Sequence, residues 1–236
     1  MTDIMISVII PTLNEEGYLE RCLRSIVAQN VNRDCYEIIV VDGGSADNTI
    51  EIAKKYADLI IISNKRGIGY QQNLGAYYAV GEILAFIHAD TYFIKRDIFN
   101  KILDRFKDRE VVGGAINHIY YPESTYQIKF YNRAGKVLTS LFNLVGKPKT
   151  GGPVTLVRKN VFYEIGGFID MICEDFEINR RLNKKGRMFR DPEVGAYSSS
   201  RRFEKEGLFK NIMRYTLSQL LLMLNIDGEI EYPPVR

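Results

Sequence analysis

Residues 7–26 read SVIIPTLNEEGYLERCLRSI, and residues 40–57 read VVDGGSADNTIEIAKKYA. Each stretch begins as an apolar, β-prone run and halts at turn-forming residues. Each then resumes with apolar residues at helical spacing. In the first, the run from Ile4 to Ile10 stops at Pro11, and Leu19, Cys22, Leu23, Ile26 and Val27 follow on one helical face. In the second, Glu37 to Val41 ends at Asp42-Gly43-Gly44-Ser45, and Ile50, Ala53, Tyr56 and Ala57 repeat the pattern. Two further runs, Leu59 to Ile62 and Ile83 to Ile87, extend the series to β-α-β-α-β-α-β. That alternation predicts an α/β fold built on a parallel sheet, with ligands outside the carboxyl ends of the strands.

The second half is less regular. A helix is expected from Tyr126 to Val145, with Phe130, Ala134, Val137, Leu138, Leu141, Phe142 and Val145 on one face. Val154 to Val157 reads as a strand and Phe176 to Leu182 as helix. Leu208 to Leu224 again has helical spacing. No Gly/Ser-rich linker or repeat interrupts the 236 residues, so one domain is expected. Its regular first half would cover about residues 1–118 and its less regular second half about residues 119–236.

Composition narrows the class. The 32 basic and 29 acidic residues leave a formal charge of +3, which gives no nucleic-acid footprint. Cys22, Cys35 and Cys173 are odd in number and contain no Cys-x-x-Cys pair. Neither a disulfide framework nor a zinc site is suggested, and reduced thiols in a cytoplasmic protein fit best. No apolar run approaches the ~18 residues needed to span a bilayer, and the opening run reads as a strand rather than a signal peptide.

Chemistry-bearing residues gather at the ends of the predicted strands. Asp42 could accept hydrogen bonds from a base or a ribose hydroxyl, although Ser45 or Asp47 would equally serve as a helix cap. Asp90, at the end of His88-Ala89-Asp90, is a candidate ligand for Mn or Mg, which bind through one or two carboxylates plus substrate phosphates. A lone histidine such as His88 is more often a partly buried structural residue or a supporting one. Glu174 and Asp175 start a helical stretch, where one can face a substrate hydroxyl while the other caps the helix or pairs with arginine. Cys173, with no histidine partner in view, reads as a small apolar residue. The pairs Lys65-Arg66 and Arg201-Arg202 suit a diphosphate, whose oxygens match the guanidinium fork.

Taken together, the two opening stretches, RGIGYQQNLGAYYAVGEILAFIHADT (residues 66–91) and GGPVTLVRKNVFYEIGGFIDMICEDFEINRRL (residues 151–182) resemble the family-2 glycosyltransferases, inverting enzymes with a GT-A fold. The resemblance covers most of residues 4–205. It implies a doubly wound, mostly parallel sheet with flanking helices, and a nucleotide-diphosphate sugar as donor. Pro11, Thr12, Asn14, Glu15 and Asp42 would hold the nucleoside, with Arg66 and Asn73 nearby and Ala89 beside the sugar nucleotide. Asp90 would bind a divalent cation, with His88 as its companion. Asp175 matches the base, Glu174 precedes it, and Gly151 and Gly152 lie on the acceptor-side loop. Arg201 and Arg202 look like the late diphosphate motif.

Two departures stand out. The usual Asp-x-Asp is here His88-Ala-Asp90, and the usual Arg-Trp is Arg202-Phe203 in a chain without tryptophan. A catalytically silent nucleotide-sugar binder or scaffold is the alternative reading. A nucleotidyltransferase lacks its Gly-rich phosphate loop here, and a dinucleotide oxidoreductase lacks G-x-G-x-x-G. The two late amphipathic segments carry Lys129, Arg133, Lys136, Lys210 and Arg214. They suggest either peripheral contact with the cytoplasmic membrane face, suited to a polyprenyl-linked acceptor, or a core-facing or homodimer seam.

Overall fold

The computed structural model describes residues 5–144, 152–171 and 173–223. In chain order it forms β1 (Ile6–Thr12), α1 (Leu19–Val27), β2 (Tyr36–Asp42), α2 (Thr49–Ala53), β3 (Leu59–Ile62), α3 (Ile68–Tyr78), β4 (Ile83–Ile87), β5 (Thr91–Phe93) and α4 (Ile98–Phe106). The second half adds β6 (Val111–Tyr121), α5 (Tyr126–Leu144), β7 (Val154–Arg158), α6 (Lys159–Glu164), α7 (Glu174–Leu182), β8 (Arg187–Ser199), α8 (Arg201–Glu206) and α9 (Leu208–Met223). The strands lie in one sheet in the order β3-β2-β1-β4-β7-β6-β8-β5.

The fold is the GT-A-like α/β arrangement expected, a mostly parallel sheet with helices on both faces. β3, β2, β1 and β4 are mutually parallel, and β6 runs parallel to β8. β7 is antiparallel to both β4 and β6, and β5 is antiparallel to β8. Period-two alternation sends Ile6, Val8 and Ile10 of β1 to one face, where they pack with Leu19, Leu23 and Ile26 of α1 and Phe99 of α4. Ile9, between them, joins Ile39, Val41, Phe86, Phe162 and Ile178 on the other face. These side chains are buried, and each large one contributes ~1.5–3 kcal/mol relative to exposure, so both helical layers are held by the sheet. Gly75 lets α3 approach, because a Cβ there would lie 2.4 Å from Ile9 Cγ2.

The sheet order decides where the site lies. β1 and β4 are neighbours although β2 and β3 intervene in sequence, which makes their carboxyl ends a topological switch point. β7 then starts beside the end of β4, with Val154 opposite Ile87. This register carries Gly152 and Pro153 to the same edge, where Pro153 O accepts a hydrogen bond from the His88 N–H at 3.0 Å. β8 ends opposite Thr91, and the Ser199 N–H bonds to Asp90 O at 3.1 Å, so α8 begins next to Asp90.

Candidate active site

Residues after β1 and β2 are laced into one rim. Asp42 is fully buried. Its Oδ1 accepts from the backbone N–H groups of Gly44 (2.9 Å) and Ser45 (2.7 Å), and its Oδ2 accepts from the hydroxyls of Ser45 (2.5 Å) and Thr12 (3.0 Å). Both oxygens are therefore engaged in shaping the turn that follows β2. Asn14 adopts a left-handed backbone (φ 54°), donates its N–H to Ser45 Oγ and accepts the Ala46 N–H on its side-chain oxygen, each at 2.8 Å. Asp47 accepts the N–H of Thr49, the first residue of α2, while the N-cap position itself falls to Asn48, whose side chain makes no capping hydrogen bond. Pro11 is buried beside Thr12 in β1, and Ala89 is buried after β4. Arg66 reaches the same rim, with Nε 3.4 Å from Gly43 O.

Asn73 is placed elsewhere. Its amide exchanges two 2.8 Å hydrogen bonds with the backbone of Phe168, clamping α3 to the loop that precedes α7. Arg181 holds the same loop through Ile165 O and Gly167 O while pairing with Glu177.

Beyond β4 the side chains divide toward two sides. Asp90 faces Arg201, whose Nη2 stands 3.3 Å from Asp90 Oδ2 and 2.6 Å from Glu15 Oε1. Burial raises the Glu15 carboxyl above its ordinary value, against the lowering effect of the Arg201 hydrogen bond. Asp90 and Arg201 line a cleft of about 180 Å³ with Tyr18, Arg21, Tyr92 and Tyr121. Arg202, by contrast, turns to Glu206 at 3.6 Å. His88 faces the carboxylate pair, with Nε2 3.8 Å from Glu174 Oε1.

The pair itself occupies the first turn of α7, entered through Cys173 in the left-handed region (φ 60°). Burial and the neighbouring Asp175 push Glu174 up to about 8. Burial also raises Asp175, but His88 and hydrogen bonds from the backbone N–H groups of Phe176 and Gly152 act in the opposite direction. Burial thus raises both carboxyls, Glu174 to about 8, but only Asp175 has His88 and two backbone N–H donors opposing the rise, a difference in surroundings of the kind that lets adjacent carboxyls take different roles. The Cys173 thiol is pushed up to about 12 by burial, which suits a packing residue rather than a nucleophile.

The profile of glycosyl transferase family 2 matches residues 7–166. The chain belongs to glycosyl transferase family 2. The reading of its sequence as that of a glycosyltransferase, in a family of inverting enzymes, therefore stands. Among curated relatives, the dolichyl N-acetyl-alpha-D-glucosaminyl phosphate 3-beta-D-2,3-diacetamido-2,3-dideoxy-beta-D-glucuronosyltransferase of Methanococcus voltae is 29% identical over 85% of this chain and 70% of its own length. Glycosyltransferase AglE of Haloferax volcanii is 35% identical, over 36% of this chain and 30% of its own. Of solved structures, the mannosyltransferase PcManGT from Pyrobaculum calidifontis, in complex with GDP-Man and Mn2+, superposes with a TM-score of 0.73 at 21% identity, covering 96% of this chain and 65% of that one. S. aureus TarS 1-349 in complex with UDP-GlcNAc gives 0.68 at 20% identity, covering 95% and 68%. The chain thus spans less than two thirds of AglE and of the mannosyltransferase.

In this family-2 chain, the structure brings together Glu15, Asp90 and Arg201 on one side and His88, Glu174, Asp175 and Gly152 on the other. Gly151 lies outside the described residues. Sequence reasoning missed His118 and Arg190. His118, near the end of β6, lies beneath Gly152, and burial pushes it down to about 3, so it is neutral. Arg190, on β8, is buried within reach of the Asp175 field. Neither stands in a recognisable motif; only a charged residue inside an otherwise pairing strand could have drawn attention to Arg190.

Proposed function

We propose that the chain transfers a sugar from a nucleoside-diphosphate sugar to an acceptor hydroxyl, with inversion at the anomeric carbon, and that the acceptor is carried on a polyprenyl-linked lipid. The observation that carries this reading is the buried carboxyl pair at the start of α7, in which Asp175 accepts hydrogen bonds from the backbone N–H groups of Phe176 and of the acceptor-side Gly152. Asp175 takes the proton of the acceptor hydroxyl as that oxygen bonds to the anomeric carbon and the bond to the diphosphate breaks. A phosphate acceptor would already be ionised and would need no such base, which favours a hydroxyl over a lipid phosphate. Glu174, held neutral, adds no second negative charge against the reacting oxygen. The lipid carrier is suggested by the Methanococcus relative, whose name describes a dolichyl-phosphate-linked sugar as acceptor.

A divalent cation fits the donor side. Among the described residues no three His, Cys, Asp or Glu side chains converge into an all-protein site. Asp90 nevertheless presents an oxygen donor at the cleft, and Glu15 Oε2 is buried without a hydrogen-bond partner. One or two carboxylates completed by substrate phosphates is the habitual arrangement for Mg or Mn. Asp90 would hold the ion, with Glu15 as its neighbour. The ion would neutralise charge growing on the leaving diphosphate. His88 faces Glu174 instead, which favours a supporting role at the base. The donor side draws mainly on residues 1–118 and the acceptor side mainly on residues 119–236, with Arg201 and His88 each crossing to the other side.

The test is a screen of UDP- and GDP-sugars with MnCl2, following release of the nucleoside diphosphate. Asp175→Asn should lower turnover about 100-fold or more while donor affinity persists. Asp90→Ala should abolish the metal-dependent part of donor binding. A folded Asp175→Asn variant with undiminished turnover would overturn the assignment of the base. No metal-stimulated release from any donor would favour the silent-binder reading.

A further inference from the structure

We propose that Arg201 is the resident counter-cation of the metal position: it holds Asp90 and Glu15 until a nucleoside diphosphate draws its guanidinium away, so that metal and donor bind as one coupled event. This rests on the donor-and-metal reading above. One nitrogen, Nη2, bridges Glu15 Oε1 at 2.6 Å and Asp90 Oδ2 at 3.3 Å. The three side chains are only 14–18% exposed, so their charges are weakly screened by solvent ions. A divalent cation approaching Asp90 in the donor-free protein therefore meets a fixed positive charge already in place.

The arrangement is built to be exchanged. The guanidinium leaves Glu15 Oε2 buried and without a hydrogen-bond partner, so the acceptor capacity of the pair is only partly used. The adjoining cleft, about 180 Å³, has room for about six waters at ~30 Å³ each, enough for a guanidinium to shift or a hydrated ion to enter. The Tyr18 ring, 4.6 Å from Arg201 Cζ, flanks the group through the movement. A diphosphate offers pairs of oxygens that match the guanidinium fork better than two separate carboxylates do. Once it takes the fork, Asp90 regains an uncompensated charge for the metal. By linkage, nucleotide must then strengthen metal binding by the same factor as metal strengthens nucleotide binding.

The experiment titrates the whole chain with MnCl2, following free Mn2+ by electron paramagnetic resonance, alone and with saturating UDP or GDP. Nucleotide should tighten Mn2+ binding to the wild type about tenfold or more. Arg201→Gln should bind Mn2+ without nucleotide at least about fivefold more tightly than wild type, with a smaller nucleotide effect, within the usual range of coupling between sites. Arg201→Lys keeps the charge but loses the fork, and should fall between the two. If Arg201→Gln fails to fold in a thermal melt, Arg201→Lys decides by the same criterion. Donor-free Mn2+ affinity no higher than wild type in the folded variants overturns the inference while leaving the donor reading intact. If neither nucleotide strengthens Mn2+ binding to the wild type, the donor-and-metal reading itself fails.

Discussion

Gly152→Ala should uncouple the acceptor-side loop from Asp175, and the structure indicates by how much. Gly152 has φ 145°, a conformation that L residues rarely adopt, and its N–H donates to the Asp175 carboxylate. A Cβ built there would lie 2.9 Å from His118 Cε1 and 3.2 Å from Nδ1, inside the ~3.5–4.0 Å of ordinary carbon contact. The ring is held edge-on against Tyr120, with centroids 5.3 Å apart, so the loop must yield. Backbone strain of ~1–3 kcal/mol adds to the clash. If the loop moves, Asp175 loses a charge-assisted hydrogen bond worth ~1.5–3 kcal/mol, equivalent to about 10- to 100-fold in turnover. Losing a donor to the anion raises the Asp175 pKa further, so the acid limb of the kcat–pH profile should move to higher pH. The assay is kcat against pH for the wild type, Gly152→Ala, His118→Ala and the double variant. Removing the imidazole relieves the clash but not the φ strain, so the double variant should recover part of the loss. Wild-type turnover with an unmoved acid limb in folded Gly152→Ala would refute the reasoning. A double variant as impaired as the two single losses combined would show that the clash is not the cause.

Two further outcomes are expected. Glu174 titrates near 4.5 when unfolded and at about 8 in the fold, so the folded chain retains a proton that the unfolded chain has released. Stability of the metal-free protein should therefore fall as pH rises from about 4.5 to 8, at up to ~1.4 kcal/mol per pH unit, and level off above. Denaturant melts of Glu174→Gln in EDTA should show that slope reduced, and an unchanged slope would remove Glu174 as its source. The second outcome concerns the membrane. α5 and α9 leave Phe130, Val137, Phe209, Met213 and Leu217 exposed, with Lys129, Arg133 and Lys136 exposed on α5. Salt-sensitive cosedimentation with anionic liposomes is expected, weakened by Lys129→Glu with Arg133→Glu. Folded protein remaining in the supernatant at low salt would leave a water-soluble acceptor as the better reading.

The first four strands were legible because each is an apolar run closed by turn residues. β3 and β4 lie where expected, while β2 extends one residue further at each end and β1 two residues further at its carboxyl end, to Thr12. β6 and β8 were not legible, and the physical reason is specific. In β6, Gly113 and Gly114 have no side chains to signal a strand, because Cβ atoms there would lie 2.6 Å from Leu156 O and 2.5 Å from Phe189. In β8, buried Arg190 and Asp191 sit where apolar residues would be read, and the β6–β8 register is irregular around Asn117. The late amphipathic helices were visible as periodic patterns, but their orientation was not. Among the described side chains, α5 buries Ile128 and Asn132 while Phe130 and Val137 of the expected stripe face out, and Val145 lies outside the described residues.

The site divides in the same way. Motif letters placed Asp90, Glu174 and Asp175 at strand and helix ends, because such ends are local features. What these residues touch depends on sheet order. Glu15 and Arg201 are 186 positions apart and meet because β5 and β8 pair beside the end of β4. Asp42 and Asn73 show the limit from the other direction. Asp42 was expected to hold the nucleoside and Asn73 to lie nearby; in the structure the Asp42 oxygens accept hydrogen bonds within a turn and the Asn73 amide bonds to Phe168. A residue fixed in a motif can act by shaping the loop that binds, and only the count of its hydrogen-bond partners separates that from direct contact. By the same reasoning the acceptor side hinges on one register. β7, antiparallel to β4 with Val154 opposite Ile87, brings Pro153 level with His88 and Gly152 one residue beyond it. From there the Gly152 N–H reaches Asp175, and a shift of that pairing by one residue would turn the donor away from the base.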